Sequence, residues 1–455
     1  MIRLGKADGN ERYHSAESLL ALGLLAVILT GTVLLSMPIS AQNGQSIGFF
    51  DSLFTATSAV CVTGLVVVDT GTTFSMFGQI VLLVLIQVGG LGFMVFATMI
   101  MVMLGKKMSL KGRMLVRESM NCASLTDLSG LMQLYLLLAL GIELLGAAFL
   151  AIRFAPLYGL KRGLWMALFH AVSAFCNAGF DLFGQYNSLT LFASDLLVLL
   201  TIAILIILGG LGFSVILEAL RNREGFKGLS LHARIVLMLT PVLLIAGTVF
   251  YIIMEWEGMD TYTCFRAGDK VLNAFFQSVT MRTAGFNSLN ISKMKDSTKL
   301  FSCLLMMIGA SPASTGGGMK TTTVAAFTLL ILSVVKGENE VNIARRRLSG
   351  DVTRRALAVV ALYISMLFIG TLIIAMIENG RFQLLDVLFE ASSAMGTVGV
   401  SSIGTPNLLP ASRAVLLPMM FLGRIGPLTL AIAVARRQEN HRKASKYPEE
   451  KIMIG

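Results

Sequence analysis

The chain has 455 residues, 55% of them hydrophobic and only 14% charged, with a mean hydropathy of +0.76 and a net charge of +11. A soluble globular chain carries roughly a quarter charged residues, so this composition excludes an ordinary soluble enzyme or binding domain. The apolar residues fall in runs long enough to cross about 30 Å of hydrocarbon, and the expected class is an all-α membrane protein.

The first run, Leu19–Met37, ends at Pro38 and has no small-residue cleavage site, so it reads as a retained spanning helix rather than a signal peptide. A shorter segment, Asp51–Val60, follows it, and Phe77–Leu104 returns. The same order recurs in Leu131–Ile152, Leu164–Phe175 and Leu191–Leu220, then in Ile235–Trp256, Val271–Thr280 and Leu300–Val335. It recurs once more in Ala356–Ile377, Leu384–Met395 and Ala414–Ala435. Apolar segments of about 10–14 residues are too short to span, and beside long ones they suit reentry. The expected architecture is therefore four M1–P–M2 repeats (helix, reentrant half-helix, helix) around a single pore, with eight transmembrane helices. Repeat 1 takes 16–118, repeat 2 takes 129–228, repeat 3 takes 233–340 with a broken M2 and a gating loop, and repeat 4 takes 353–438. Residues 439–455 form a cytoplasmic tail.

Each short segment leads into a matching turn. Phe54, Phe169, Phe275 and Phe389 stand ten residues before Gly64, Gly179, Gly285 and Gly399, glycines spaced by 115, 106 and 114 positions. The mid-helix position holds Ser58, Ser173, Val279 and Ser393, and the residue after the glycine is Leu65, Phe180, Phe286 or Val400. Four copies of one reentrant turn can surround one axis, as in a selectivity filter. Backbone carbonyls replace the water of a dehydrated cation without adding fixed charge, and the C-terminal ends of the half-helices add negative potential. The expected carbonyl donors are Val62, Thr63, Asn177, Ala178, Thr283, Ala284, Thr397 and Val398, ahead of the four glycines. The turns hold no ring of carboxylates, which suits a monovalent ion better than calcium.

The returning helices carry a second recurrence. Gly89–Phe93 and Gly209–Phe213 both read GGLGF, the fourth repeat has Gly423-Arg-Ile-Gly-Pro427, and the third has the run from Gly309 to Gly318. The first two suit close helix packing through small residues. The third, Gly309, Ala310, Ser311, Pro312, Ala313, Ser314, Thr315, Gly316, Gly317 and Gly318, cannot continue a helix. Irregular backbone at that depth must be buried in protein or line a water-filled cavity. Its backbone groups are expected to be costly and unpaired, which favours a mobile constriction over mere packing.

Basic residues cluster at Lys106, Lys107, Lys111, Arg113 and Arg117, at Arg221, Arg223, Lys227 and Arg234, at Arg345–Arg347 with Arg354 and Arg355, and at Arg436, Arg437, Arg442, Lys443 and Lys446. All fall on one face if each repeat crosses twice, the positive-inside pattern. That places both termini in the cytoplasm and argues against nucleic acid as the partner. Cys61, Cys122, Cys176, Cys264 and Cys303 have no paired spacing and give neither a disulfide framework nor a zinc pattern.

The four turns, together with TMRTAGFNS at Thr280–Ser288, GGMKTTT at Gly317–Thr323 and GRIGPLT at Gly423–Thr429, resemble the Trk/Ktr/HKT superfamily of potassium transporters across nearly the whole chain. Because the first apolar run begins at Leu19, the chain is similar to the Ktr branch (KtrB and KtrD) rather than to Trk subunits with an extra helical pair. The resemblance implies potassium as the permeant ion at the filter residues, sodium as an activating ion and no cofactor on this chain. It also implies a homodimer in a bacterial cell membrane, with a cytosolic nucleotide-binding regulatory ring of the KtrA/KtrC type docked on the basic face. In plant relatives serine at the first filter glycine accompanies sodium transport, so Gly64 favours potassium.

Charged residues at membrane depth are costly and often functional. Arg424 is level with the broken segment and is expected to bond loop carbonyls, to form a barrier in the path, or to join a structural ion pair. With Lys320 it is assigned to gating on the family likeness. Arg282 is expected to brace the third turn, with Glu390 as its partner; Glu143 to brace helices; and His170 to be a satisfied hydrogen-bonding residue of a half-helix. Cys61 and Cys176 serve as small residues in the turns.

Three other readings fit less well. GGGMKT at Gly316–Thr321 lacks the lysine directly after glycine that a phosphate loop needs. A secondary transporter with inverted repeats would alternate the side of its reentrant turns, whereas these four follow the same half of each repeat. His14, His170, His232 and His441 form no catalytic or metal cluster, so no enzyme is expected. A sodium- or ammonium-conducting member of the same fold remains the alternative.

Overall fold

The protein is described by a computed structural model covering residues 16–92, 128–256, 265–338, 340–343 and 346–426. Helix α1 (Ala16–Ser36) stops two residues before Pro38, which holds Met37 in an extended conformation. Helix α2 (Phe49–Val60) starts after Gly48, and α3 (Met76–Leu91) starts at Ser75, whose hydroxyl accepts the Gly78 N–H.

Helices α4 (Leu128–Tyr158) and α5 (Leu160–Phe175) are separated by Gly159 alone, at φ +81°. The two then run so close that a Cβ on Gly163 would stand 2.6 Å from the Ala155 Cα. Helix α6 (Leu196–Leu211) is capped by Asp195, and α7 (Phe213–Arg221) leaves it at 94°. Helix α8 (Leu231–Glu255) is capped by Ser230. Helices α9 (Ala267–Thr280), α10 (Asp296–Met307) and α11 (Thr321–Val335) follow, then a two-stranded hairpin of β1 (Asn342–Ile343) and β2 (Arg346–Arg347). Helices α12 (Gly350–Glu378), α13 (Leu384–Gly396) and α14 (Pro410–Ile425) complete the order.

Among the described residues three helices are long and apolar enough to cross a membrane, α4 over 130–158, α8 and α12; α6 with α7 makes a fourth span if the bent pair is counted as one. Their outer faces carry exposed Leu144, Leu145, Ile152, Ile245, Ile253, Phe368 and Met376. Apolar exposure on this scale marks a surface made for an apolar neighbour, here hydrocarbon.

The long helices pack on the returning ones through one recurring notch. A Cβ on Gly31 in α1 would come within 2.7 Å of Leu85 in α3, and one on Gly146 in α4 within 2.6 Å of Leu205 in α6. One on Gly370 in α12 would come within 2.5 Å of Met419 in α14, and one on Gly247 in α8 stands 3.2 Å from Leu305 in α10. Leu85, Leu205, Leu305 and Met419 each stand four residues before Gly89, Gly209, Gly309 and Gly423, so the notch falls at matching positions.

The returning helices differ from the sequence expectation of three continuous spans and one broken one. Helix α6 ends at Gly212, where φ is +94°, and the Phe213 N–H that would continue the helix donates instead to the Ala313 carbonyl at 3.1 Å. Helices α3 and α14 also end on left-handed glycines, Gly92 and Gly426, each three residues after the matching Gly89 or Gly423. Leu191–Leu220 is thus two helices, and the stretches after Gly92 and Gly426 lie outside the described residues.

Candidate ion-conducting site

The four segments expected as half-helices are helical, as α2, α5, α9 and α13, and each ends in a turn with the same backbone signature. Val62, Asn177, Thr283 and Thr397 have φ of +56°, +59°, +71° and +51°, and the glycines two positions on have +88°, +69°, +85° and +94°. Glycine adopts this region freely. A β-branched Val or Thr does not, and holding one there costs about 1–3 kcal/mol. The left-handed start of each turn is therefore imposed by its surroundings.

A recurring hydroxyl supplies part of that imposition. The Ser58 and Ser393 hydroxyls accept the N–H of Gly64 and Gly399 at 3.1 and 3.0 Å. Ser173 and Thr280 donate to the carbonyls of Phe180 and Phe286, both at 2.7 Å. In the third turn this residue is Thr280 and not Val279, the position matched by spacing. The difference follows from a backbone offset: Ala284 N–H bonds the Thr280 carbonyl four residues back, whereas Thr63, Ala178 and Val398 bond carbonyls five back.

The turns form one ring. A Cβ on Gly64 would lie 2.5 Å from the Ala178 carbonyl oxygen, one on Gly179 2.7 Å from that of Ala284, and one on Gly285 2.5 Å from that of Val398. One on Gly399 would overlap the Thr63 carbonyl oxygen, which returns to the first turn. The order of contact is the order of the chain, and it closes. No side chain larger than hydrogen fits at these four positions.

On one side the ring opens into a vestibule of about 340 Å³ lined by all four glycines together with Asp69, Asp181, Tyr186, Ser188, Asn287 and Ser401. Asp69 is held by the N–H groups of Thr72 and Tyr186. Burial, with the nearby Asp69 charge adding to it, raises the Asp181 carboxyl to about 7.

On the other side lies the loop between α10 and α11. A Cβ on Gly316 would strike the Thr283 hydroxyl and come within 3.2 Å of the Asn177 amide, and one on Gly317 would strike the Thr397 side chain. The loop therefore rests on the first residues of three turns. Its backbone is not unpaired as expected. Ser311 N–H donates to Gly210 O at 3.0 Å, Thr315 N–H to Gly209 O at 3.1 Å and Gly318 N–H to Gly423 O at 3.2 Å. Within the loop, Ala310 N–H donates to Gly317 O and Gly309 N–H to Met319 O. The second glycine motif, expected only to pack, thus also supplies carbonyls that hold the loop, as Gly423 of the fourth repeat does. They do pack: Gly89, Gly209 and Gly423 press on the carbonyls of Val60, Phe175 and Met395.

Two cations complete the anchoring. Arg424 donates to the carbonyls of Thr315, Gly89 and Gly90, which is the carbonyl-bonding option among those foreseen, and no acidic partner is present among the described residues. Lys320 Nζ donates to Gly316 O at 2.8 Å. Glu143 accepts two bonds from the Gln87 amide, joining α4 to α3, and His170 is satisfied by Met166 O and the Leu182 N–H. Arg282 is 7% exposed and not paired with Glu390, whose oxygens accept from the hydroxyls of Ser401 and Thr405. Those hydroxyls satisfy the carboxylate locally, so it needs no cation. Cys61 and Cys176 are buried free thiols; Arg345, the clusters at 106–117 and 436–446, and Cys122 and Cys264 lie outside the described residues.

The family described as TrkH, cation transport protein, matches residues 23–444. The Ktr system potassium uptake protein B of Bacillus subtilis (strain 168) is 41% identical over 436 residues, 96% of each chain. The potassium/sodium uptake protein NtpJ of Enterococcus hirae is 34% identical over 447 residues, 97% of each chain. The crystal structure of the potassium transporter TrkH from Vibrio parahaemolyticus has the same fold, with a TM-score of 0.68 at 19% identity, over 93% of this chain and 85% of that one. This chain is a membrane protein and belongs to the TrkH family of cation transport proteins.

Proposed function

We propose that the chain takes up potassium across a bacterial cell membrane, as the membrane subunit of a Ktr-type system. The observation that carries this reading is the closed ring of four turns, open to a vestibule on one side and covered by the anchored loop on the other. On this reading the twelve residues Val62–Gly64, Asn177–Gly179, Thr283–Gly285 and Thr397–Gly399 hold dehydrated potassium with their carbonyls. The chain forms four M1–P–M2 repeats (16–118, 129–228, 233–340 and 353–438) with eight spanning helices, both termini and the 439–455 tail being cytoplasmic. Gly309–Gly318, with Lys320 and Arg424, forms the gate. The chain works as a homodimer with a cytosolic nucleotide-binding ring on its basic face, and sodium acts as an activating ion. The name of the Bacillus relative, a protein of a Ktr system, supports a partner subunit.

The name of the Enterococcus relative supports a second reading, in which sodium also permeates. Growth of a potassium-uptake-deficient bacterial strain at low potassium, with and without the regulatory subunit, tests the main reading. Rescue that needs potassium supports it. Sodium uptake by the purified protein at a rate equal to rubidium uptake supports the second.

A further inference from the structure

Helix α4 faces hydrocarbon along much of its length, with Leu137, Leu140, Leu144, Leu145 and Phe149 exposed, yet it carries one buried carboxyl, Glu143, at 2% exposure. A carboxyl at membrane depth is retained where it meets partners. Its partners here are not cations. The Gln87 amide of α3 donates to Oε1 at 3.0 Å and to Oε2 at 3.1 Å. The second partner is the Cys176 thiol, 3.9 Å from Glu143 Oε1 and 3.5 Å from Gln87 Oε1.

Cys176 is the residue at which α5 stops and the second turn begins. Its N–H donates to Val172 O at 2.9 Å, and the next residue, Asn177, is the first in the left-handed region. Two residues on, the Ala178 carbonyl faces Gly64 across the ring. Gly90, one turn along α3 from Gln87, lies where a Cβ would come within 2.5 Å of the Cys176 sulfur, so the thiol is held from a second side. The Gly90 carbonyl in turn accepts from Arg424, which binds the loop at Thr315, and the Thr315 hydroxyl donates to Phe175 O beside Cys176. The matching positions in the other turns hold Cys61, Arg282 and Gly396. Among the described residues none of these three is bonded to a carboxyl.

We propose that Glu143 and Gln87 form a clamp on Cys176 that sets the position of the second turn, making Glu143 a positioning residue for ion selectivity. The carboxyl is suited to this because both its oxygens accept from the Gln87 amide nitrogen, which points the Gln87 amide oxygen, the nearer acceptor for the single thiol hydrogen, at Cys176. A glutamine at 143 would turn an NH₂ toward the Gln87 amide nitrogen, rotate that amide and take its oxygen from the thiol. Displacing Cys176 displaces the Ala178 carbonyl, and the number and geometry of carbonyls around the axis decide between potassium and sodium. This inference rests on the potassium reading above.

The test is the ratio of potassium to sodium uptake by the full-length protein in proteoliposomes, with chromatographic elution and thermal unfolding measured beside it. Glu143→Gln and Cys176→Ala should each lower the ratio by about three- to tenfold, the size of one lost hydrogen bond. The double variant should fall no further than the larger single effect, and Cys176→Ser, which keeps a donor, should restore most of the ratio. A purely structural Glu143 would change unfolding and leave the ratio alone. Parental ratios in a folded Glu143→Gln, or multiplicative effects in the double variant, overturn the clamp. Should Glu143→Gln fail to fold, equal ratios for Cys176→Ala and Cys176→Ser overturn it from the turn's side, and unequal ones support it. A parent that does not discriminate potassium from sodium contradicts the potassium reading; a discriminating parent with unaltered variants contradicts only the clamp.

Discussion

The ring and the loop are both irregular backbone at the centre of a helical protein, but they are held in opposite ways. Each ring turn is fixed from within its own segment: the Ser58 hydroxyl and carbonyl hold Gly64 and Thr63, and those of Ser393 hold Gly399 and Val398. The loop is fixed largely from outside, by carbonyls of Gly209, Gly210 and Gly423 and by the Arg424 guanidinium. A turn bonded to its own half-helix, as the first and fourth are, keeps its internal shape when neighbouring helices shift. A loop bonded to other helices is released when any one of them moves. The physical difference suits a rigid selective element above a displaceable barrier.

The largest expected effect is on the ring. Gly399→Ser forces a side chain into a backbone at φ +94° and against the Thr63 carbonyl. Backbone strain alone costs about 1–3 kcal/mol, so the ratio of potassium to sodium uptake should fall at least about tenfold in proteoliposomes. An unchanged ratio in a folded protein would mean that the glycines serve only packing.

Gly317→Ala should act next most strongly and in the opposite sense. Its methyl meets the Thr397 side chain and lifts the loop from the ring. Overpacking of this kind costs about 1–3 kcal/mol, and rubidium uptake without the regulator should rise about tenfold while selectivity stays near parental. A fall in uptake would mean that the loop does not move aside.

The smallest effects concern the braces. Ser58→Ala and Thr280→Ala each remove one hydrogen bond, worth about 1 kcal/mol, and should lower the ratio about fivefold or less. Val279→Ala should leave it within error. Equal effects at Thr280 and Val279 would contradict the offset of the third turn.

The ring was legible because its signal is local and repeated: four half-helices and four glycines at matching spacing, with little side-chain chemistry to obscure them. The break at Gly309–Gly318 was legible for the same reason, since Pro312 and three consecutive glycines exclude a helix within one short window. The bend at Gly212 and the helix ends at Gly92 and Gly426 were not, because single glycines occur in straight helices as well. Their equal offsets from Gly89, Gly209 and Gly423 were the available signal. The left-handed Val62, Thr283 and Thr397 were hidden because β-branched residues disfavour that region, and only the bonds formed within the folded turn impose it. The loop's partners lie about a hundred residues away in sequence, and no local pattern pairs Thr315 with Gly209 or Gly318 with Gly423. Arg282 and Glu390 attract on charge alone, and the hydroxyls of Ser401 and Thr405 that satisfy Glu390 instead are ordinary residues of a turn.

Arg424→Ala separates the two regions most directly, because it removes the charged one of the loop's bonds to α14, leaving the Gly318–Gly423 bond, and changes no residue of the ring. Rubidium uptake with and without the regulatory subunit, measured beside potassium binding by calorimetry, reads loop and ring in one protein. Bonds from a charged donor are worth about 1.5–3 kcal/mol each. Uptake without the regulator should therefore rise by about tenfold or more and lose most of its dependence on the regulator, with potassium affinity unchanged. A folded variant that binds potassium as the parent does, yet conducts no more than the parent and still requires the regulator, would contradict the loop as the barrier.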